Sequence, residues 1–184
     1  MAFGNEAFDA FMNGGEVDFE ARLINNPGLH DFLKGKMSPS ELELFQNLSI
    51  MQKALYLRAA SEAYTYAEIF YPKPVRNRKG DAIKHSLWNA LSTNYIGSSI
   101  TKQLTDAHED INYDPNYPNH FKETQMDLFN NAKGRGLATQ YGGFIFQLVE
   151  DALDNGELMY LNHLVFLNGF YNATNDSQLT PTNQ

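Results

Sequence analysis

A chain of 184 residues, 42% hydrophobic and 13% aromatic with 13 Phe and 10 Tyr, can bury a sizeable single core and is too apolar to be disordered. Its net charge of −8 repels a phosphate backbone on average, which disfavours a broad nucleic-acid surface. The absence of cysteine excludes disulfides, thiolate nucleophiles and cysteine-ligated metal, so histidine, carboxylate, asparagine and arginine must carry any chemistry.

The first residues, MAFGNEAFDAFMNGGEV, have neither the positive start nor the apolar run of a secretory signal, and no later stretch approaches a membrane span. The default location is therefore the cytoplasm; export without a cleaved signal, or a mature form that has lost one, would give the same sequence. Gly14-Gly15 and Asn25-Asn26-Pro27-Gly28 break residues 1–37 into loops and one or two short helices. At Ser38-Pro39-Ser40-Glu41 an N-cap serine, a proline at the first helical position and a glutamate three residues after the cap predict a helix start with a capping box. Leu42, Phe45 and Leu48 follow at helical spacing.

Ser49 to Phe70 contains no Gly or Pro, and Leu57, Ala60, Tyr64 and Ala67 recur as the buried stripe of a long helix would. Its aromatic surplus, Tyr56, Tyr64, Tyr66, Phe70 and Tyr71, reads as core or as a surface for a protein partner. Tyr71-Pro72-Lys73-Pro74 ends the helix, because proline lacks a donor and pushes its predecessor out of helical geometry. Residues 71–84 then hold Lys73, Arg76, Arg78, Lys79 and Lys84, five of the 14 basic residues, as a solvated connector or a phosphate-facing loop.

Further helices are expected over about 81–95, 98–110, 123–133, 144–154 and 157–168, with a long polar loop from Ile111 to Phe121 and a frayed polar tail over 171–184. Asn155-Gly156 offers the helix ending at 154 a stop. The fold class is all-α, a single-domain irregular bundle of about six to eight helices, with the main domain over 38–170.

Asp81, His85, Trp88 and Asn89 stand at i, i+4, i+7 and i+8 and share one helix face. Ile83, Leu87, Ala90 and Leu91 take the other, as in a helix crossing the middle of a bundle. Asp81 alone could also be a cap and His85 an ordinary buried imidazole. A second helix lines up Glu123, Asp127, Asn130, Asn131 and Gly134. Adjacent mid-helix asparagines are costly unless their amides meet specific partners, and Gly134 permits close approach of another backbone or a helix stop. The bland alternative is a capping box of Thr124 and Asp127 with the asparagines in solvent. In the third segment, Asp106-Ala107-His108-Glu109, neighbours point about 100° apart on a helix, so His108 and Glu109 reach one centre only near a helix end. Glu109 could instead fix the tautomer of His85.

The strings DAIKHSLWNA at 81–90, DAHE at 106–109 and MDLFNNAKGR at 126–135 together resemble a bacterial family of uncharacterised helical domains. Its pattern runs D-A-x-[RK]-H-x-x-W-N-A, then A-H-E, then M-D-x-x-N-N-x-x-G-R. The likeness covers the motif core, residues 80–136, with Lys84 standing where the family more often carries arginine. It implies a shared helical site around His85, Trp88, Asn89, His108, Glu109, Asp127, Asn131 and Arg135. Members look like surface-associated proteins or modules of toxin-like secreted chains.

The first functional reading is a hydrolase with His85, His108, Glu109 and Asp127 as catalytic groups. In it His85, His108 and Asp127 hold a divalent ion such as zinc, while Asp81, Lys84, Trp88, Asn89, Asn130, Asn131 and Arg135 support the substrate. The substrate would be a small molecule or lipid carrying a phosphodiester or ester. The second is a non-catalytic binding or structural module in which the same residues form a buried hydrogen-bond network, Arg135 pairing with Asp127 or Glu109. A third is a secreted effector.

Overall fold

The computed structural model describes residues 37–110, 115–141 and 143–184; the short helices expected in 1–36 lie outside the described residues. Among the described residues six helices run in order: α1 (Pro39–Gln46), α2 (Ile50–Phe70), α3 (Lys79–Ile96), α4 (Ser98–His108), α5 (His120–Tyr141) and α6 (Ile145–Asp154). Four short strands follow, β1 (Met159–Leu161), β2 (Val165–Leu167), β3 (Phe170–Asn172) and β4 (Leu179–Pro181). The protein is a mainly helical single domain, as the periodicity predicts.

Local chemistry sets the boundaries. Ser38 accepts the Glu41 N–H at 3.0 Å and Pro39 opens α1, satisfying one of the helix's orphan donors. Only half of the expected box forms, because the Glu41 side chain turns into the core and not back to the cap. A complete capping box appears instead at α2, between Ser49 and Gln52. The buried stripe of α2 is Tyr56, Ala59, Ala63 and Ala67; Tyr64, expected in it, is exposed. Beyond Tyr56 the small side chains of Ala59, Ala63 and Ala67 let the backbone of α3 come near.

Helix α3 is the axis of the fold. Fourteen of its 18 residues are buried, and it touches α2, α4, α5, α6 and β1. The two purposes read from its sequence are both realised, since Ile83, Leu87, Ala90 and Leu91 join the apolar core while Asp81, His85 and Asn89 are buried among polar groups. Helix α5 begins at His120, earlier than expected, and runs through Gly134 to Tyr141, so neither the Thr124–Asp127 cap nor a stop at Gly134 exists. A Cβ built on Gly134 would lie 2.1 Å from the Ser86 carbonyl oxygen; the glycine is where α5 meets α3.

The helix expected over 157–168 is absent. Residues Val165-Phe166-Leu167 and Phe170-Tyr171-Asn172 form a two-stranded hairpin, turned by Asn168 and Gly169 with φ of 53° and 84°. Asn-Gly between apolar runs favours this mirror-image turn, which matches strand twist. Nor is the segment 171–184 frayed: β4 pairs antiparallel with β1, and Thr182 is buried, its N–H donating to Leu158 at 3.0 Å. The Lys122 ammonium donates to three carbonyls, those of Thr174, Asn175 and Ser177, at 2.7–2.9 Å. Among the described residues, no helix is long and apolar enough to cross a membrane.

Candidate functional site

The three segments singled out in the sequence converge around the imidazole of His85. Asp81 stands in the first turn of α3, and its Oδ2 accepts the buried Asn77 N–H at 2.6 Å. That bond turns Oδ1 inward, where it lies 3.7 Å from His85 Nε2 and 2.5 Å from the Lys84 ammonium. From α5, Asp127 Oδ1 comes within 3.4 Å of the same Nε2. On the other edge of the ring, His85 Nδ1 faces Asn131 Oδ1 at 3.3 Å and Glu109 Oε1 at 3.4 Å.

Glu109 reaches His85 because α4 ends at His108 and Glu109 is its C-cap. The end of α4 thus sends Glu109 to His85 and its neighbour His108 to Glu41.

Asn131 orders the cluster. Its amide nitrogen donates to Glu109 Oε1 at 3.1 Å and its oxygen accepts from Asn89 Nδ2 at 2.6 Å, which fixes the amide's orientation. With the oxygen turned towards the imidazole, Nδ1 must be the protonated nitrogen. A neutral ring then presents a lone pair at Nε2, directed at the Oδ1 atoms of Asp81 and Asp127.

Behind Asn89 the network closes. Asn89 Oδ1 accepts from Thr105 at 2.8 Å and from Arg135 at 2.9 Å. Arg135 also donates to Thr105 at 3.0 Å and lies 3.3 Å from Asp106 Oδ1. The expected pairing of Arg135 with Asp127 or Glu109 is replaced by this one. Asn130 faces away from the cluster. It donates to and accepts from the backbone of Met159 at 2.8 and 2.9 Å, and so pins β1 to α5.

His108 does not join the candidate ligands. Its Nδ1 is 2.6 Å from Glu41 Oε2, and its ring centroid stands 6.5 Å from that of His85. Among the described residues, the group of three acidic and imidazole atoms within 4.8 Å of one another is that of Asp81, His85 and Asp127. Trp88 fills the space between, its ring 5.0 Å from His108 and 5.4 Å from Tyr56. Tyr56 donates to Glu41 Oε1 at 2.8 Å. Glu41, Tyr56, Asn77 and Thr105 were missed as site residues from the sequence. For Glu41 a signal existed, since it shares a helix face with the buried Phe45 four residues on.

Burial and charge separate the protonation states. Desolvation, with the nearby Lys84 charge, pushes His85 down to about 3, so the ring is neutral at ordinary pH. Burial, with the charges of Asp81 and Glu109, holds Asp127 well above the usual carboxylate range. Burial also raises Glu109. Asp81 goes the other way, because Lys84 and His85 outweigh its desolvation. For His108 burial favours the neutral form, but the Glu41 hydrogen bond and charge win and raise it. Opposite shifts among close titratable groups are the arrangement that acid–base sites use.

The cluster meets solvent along one edge, where the side chains of His108, Lys84 and Asp127 are 30%, 25% and 13% exposed. A cavity of about 510 Å³ opens elsewhere, at the start of α3, between Arg78, Lys79, Tyr160, His163 and Tyr171; it touches neither His85 nor His108. Arg76 and Arg78 of the basic connector are engaged, Arg76 with Glu123 at 2.8 Å and Arg78 over the Tyr171 ring.

A family model described as a domain of unknown function, DUF6973, matches residues 44–157. The match is wider than the motif core and takes in α2 to α6 whole, with the cluster's residues except Glu41. No curated protein matches the chain, and no solved structure does.

Proposed function

Since the chain belongs to the DUF6973 family, a domain of unknown function, we propose a function from the cluster itself: a hydrolase in which Asp81, His85 and Asp127 hold one divalent cation. One observation carries this reading. Three lone-pair atoms lie within 4.8 Å of one another, and the single ring proton of His85 is committed to the opposite side, towards Asn131 and Glu109. Asp127 Oδ1 is buried without a hydrogen-bond partner among the described residues. Such a trio repels itself unless a proton or a cation sits among its members.

One imidazole, two carboxylates and an open fourth position suit zinc or a similar ion, which would lower the pKa of a bound water towards about 7. Glu109 and Asn131 then act as the outer partners that hold the histidine tautomer. Lys84, at the solvent edge beside Asp81, is placed to stabilise negative charge developing on an ester or phosphodiester. His108, whose pKa the Glu41 hydrogen bond and charge raise against its burial, is the available acid for the leaving oxygen. Water adds to the carbonyl carbon or phosphorus and gives up one proton to solvent, the bond to the leaving oxygen breaks, and that oxygen takes the His108 proton, which solvent then restores.

The test is a zinc and manganese titration of purified protein, followed by calorimetry, together with hydrolysis of nitrophenyl ester and bis-nitrophenyl phosphate. The wild type is expected to bind one cation and to lose hydrolysis on chelation, and Asp127→Asn and His85→Gln to lose both. A wild type that binds neither ion, with turnover indifferent to chelator, would sink the proposal.

A second reading, a non-catalytic network, is favoured by the other half of the cluster. Asn89, Thr105 and Asn131 are fully buried and mutually satisfied, as groups that fix helix register would be. Under that reading His85→Gln changes stability alone and no cation binds.

A further inference from the structure

The β2–β3 hairpin stands apart from the rest of the surface. Val165, Phe166, Leu167 and Phe170 are 47%, 56%, 54% and 50% exposed, gathered around the Asn168-Gly169 turn. Successive strand residues point to opposite faces, so Phe166 and its neighbours Val165 and Leu167 make both faces of the hairpin apolar. A strand that docks on a protein needs one greasy face. A tip that is greasy on both sides suits immersion.

Cations collect at the base of this tip in a chain whose net charge is −8. The Arg76 guanidinium lies 5.8 Å from the centre of the Phe170 ring, Arg78 is 4.9 Å from that of Tyr171, and the Lys79 ammonium 5.5 Å from that of Tyr160. Glu123 already balances Arg76, whereas Arg78 and Lys79 form no ion pair with a described residue. Rings overlaid by cationic heads, next to an apolar wedge, repeat the layering of a bilayer interface: acyl boundary, aromatic belt, headgroup phosphate. The 510 Å³ cavity lies in the same layer, with Arg78 and Lys79 on its wall.

We propose that the β2–β3 hairpin docks this protein on an anionic lipid bilayer. Val165, Phe166, Leu167 and Phe170 enter the acyl boundary, Arg78 and Lys79 meet headgroup phosphates, and the adjacent cavity takes one headgroup. The docking is independent of whether the His85 cluster hydrolyses anything.

The test is flotation of the full chain with vesicles of phosphatidylcholine alone and of phosphatidylcholine mixed with phosphatidylglycerol. Binding is expected on the mixed vesicles and to weaken with salt. Phe166→Ser with Leu167→Ser should lower the bound fraction at least about tenfold, and Arg78→Gln or Lys79→Gln about fivefold each. Phe144→Ser, at an exposed apolar residue remote in sequence, should change nothing. Because the chain has no cysteine, Leu167→Cys can carry a polarity-sensitive dye, whose emission should shift to the blue on the mixed vesicles. No flotation with either vesicle, an unshifted dye, or dependence on Phe144 in place of Phe166 would overturn the proposal. So would a concentration-dependent dimer in sedimentation velocity that the hairpin variant abolishes, which would make the tip a protein contact.

Discussion

Gly134 on α5 rests against the carbonyl of Ser86 on α3, so closely that a methyl group there would lie 2.1 Å from the oxygen and 2.8 Å from the carbon behind it. The contact sets how near the two helices approach, and thereby whether Asp127 and Asn131 reach His85. Gly134→Ala is expected to destabilise the fold by about 3 kcal/mol or more, since backbone on both sides must move. Gly136→Ala, where an added Cβ meets nothing within 4 Å, should be neutral or stabilising by up to about 1 kcal/mol. Urea unfolding of the pair measures the contrast, and equal effects would refute the close-approach argument.

Asn131→Ala removes one of the two acceptors of Asn89 Nδ2, the amide donor to Glu109 Oε1 and the amide oxygen facing His85 Nδ1 at once. Loss of a buried amide from such a network should cost about 2–4 kcal/mol. Asn130→Ala should also destabilise, by detaching β1, yet leave the His85 tautomer unchanged. Nitrogen-15 shifts of the imidazole separate the two variants: a perturbed ring in Asn130→Ala, or an unperturbed one in Asn131→Ala, would contradict the assignment.

The two histidines should act on stability in opposite directions. His85 falls from 6.5 to about 3 on folding, so the unfolded chain takes up its proton first as pH drops. Its contribution is complete above 6.5 and is lost progressively towards about 3, on the order of a few kcal/mol. His108 is raised on folding, so its contribution is complete below 6.5 and is lost as pH climbs through the higher folded value. Asp127 and Glu109, also raised, act in the same sense as His108. Denaturation midpoints across pH should show His85→Gln flattening the acid limb and His108→Gln the alkaline one; an acid limb unchanged in His85→Gln would rule the account out.

Lys122→Met should destabilise the C-terminal strands by about 1–3 kcal/mol, because one ammonium holds three carbonyls. Hydrogen exchange in 173–184 should speed up more than exchange in α3. Uniform change across the chain would argue against a local tie.

The helices were legible where periodicity and caps agreed, as at Ser49 and at the proline pair that ends α2. The cluster was legible as three segments because His85, Glu109, Asp127 and Asn131 are chemically conspicuous, with Asp81 and His85, and Asp127 and Asn131, at helical spacing. Their pairings were not, since which carboxylate meets which cation depends on helix rotation: Arg135 chose Asp106, and His108 chose Glu41. The hairpin was hidden for a different reason. A run such as Leu164-Val165-Phe166-Leu167 satisfies helix and strand alike, and only the Asn168-Gly169 turn beyond it decides between them. The C-terminal strands carry few large apolar groups and are held by hydrogen bonds to Lys122, Leu158 and His163, which leave no mark in hydrophobic patterning.

The His85 cluster is split along the chain: its imidazole and the Asp81 carboxylate come from α3, the Glu109 carboxylate from the end of α4, and the Asp127 carboxylate and the Asn131 amide from α5, 46 residues away in the case of Asn131. No contiguous fragment shorter than that span contains it. A chain being synthesised or threaded through a pore therefore lacks this cluster until α5 seats, and cleavage between residues 115 and 119 would divide it into halves that regain the cluster only by complementation.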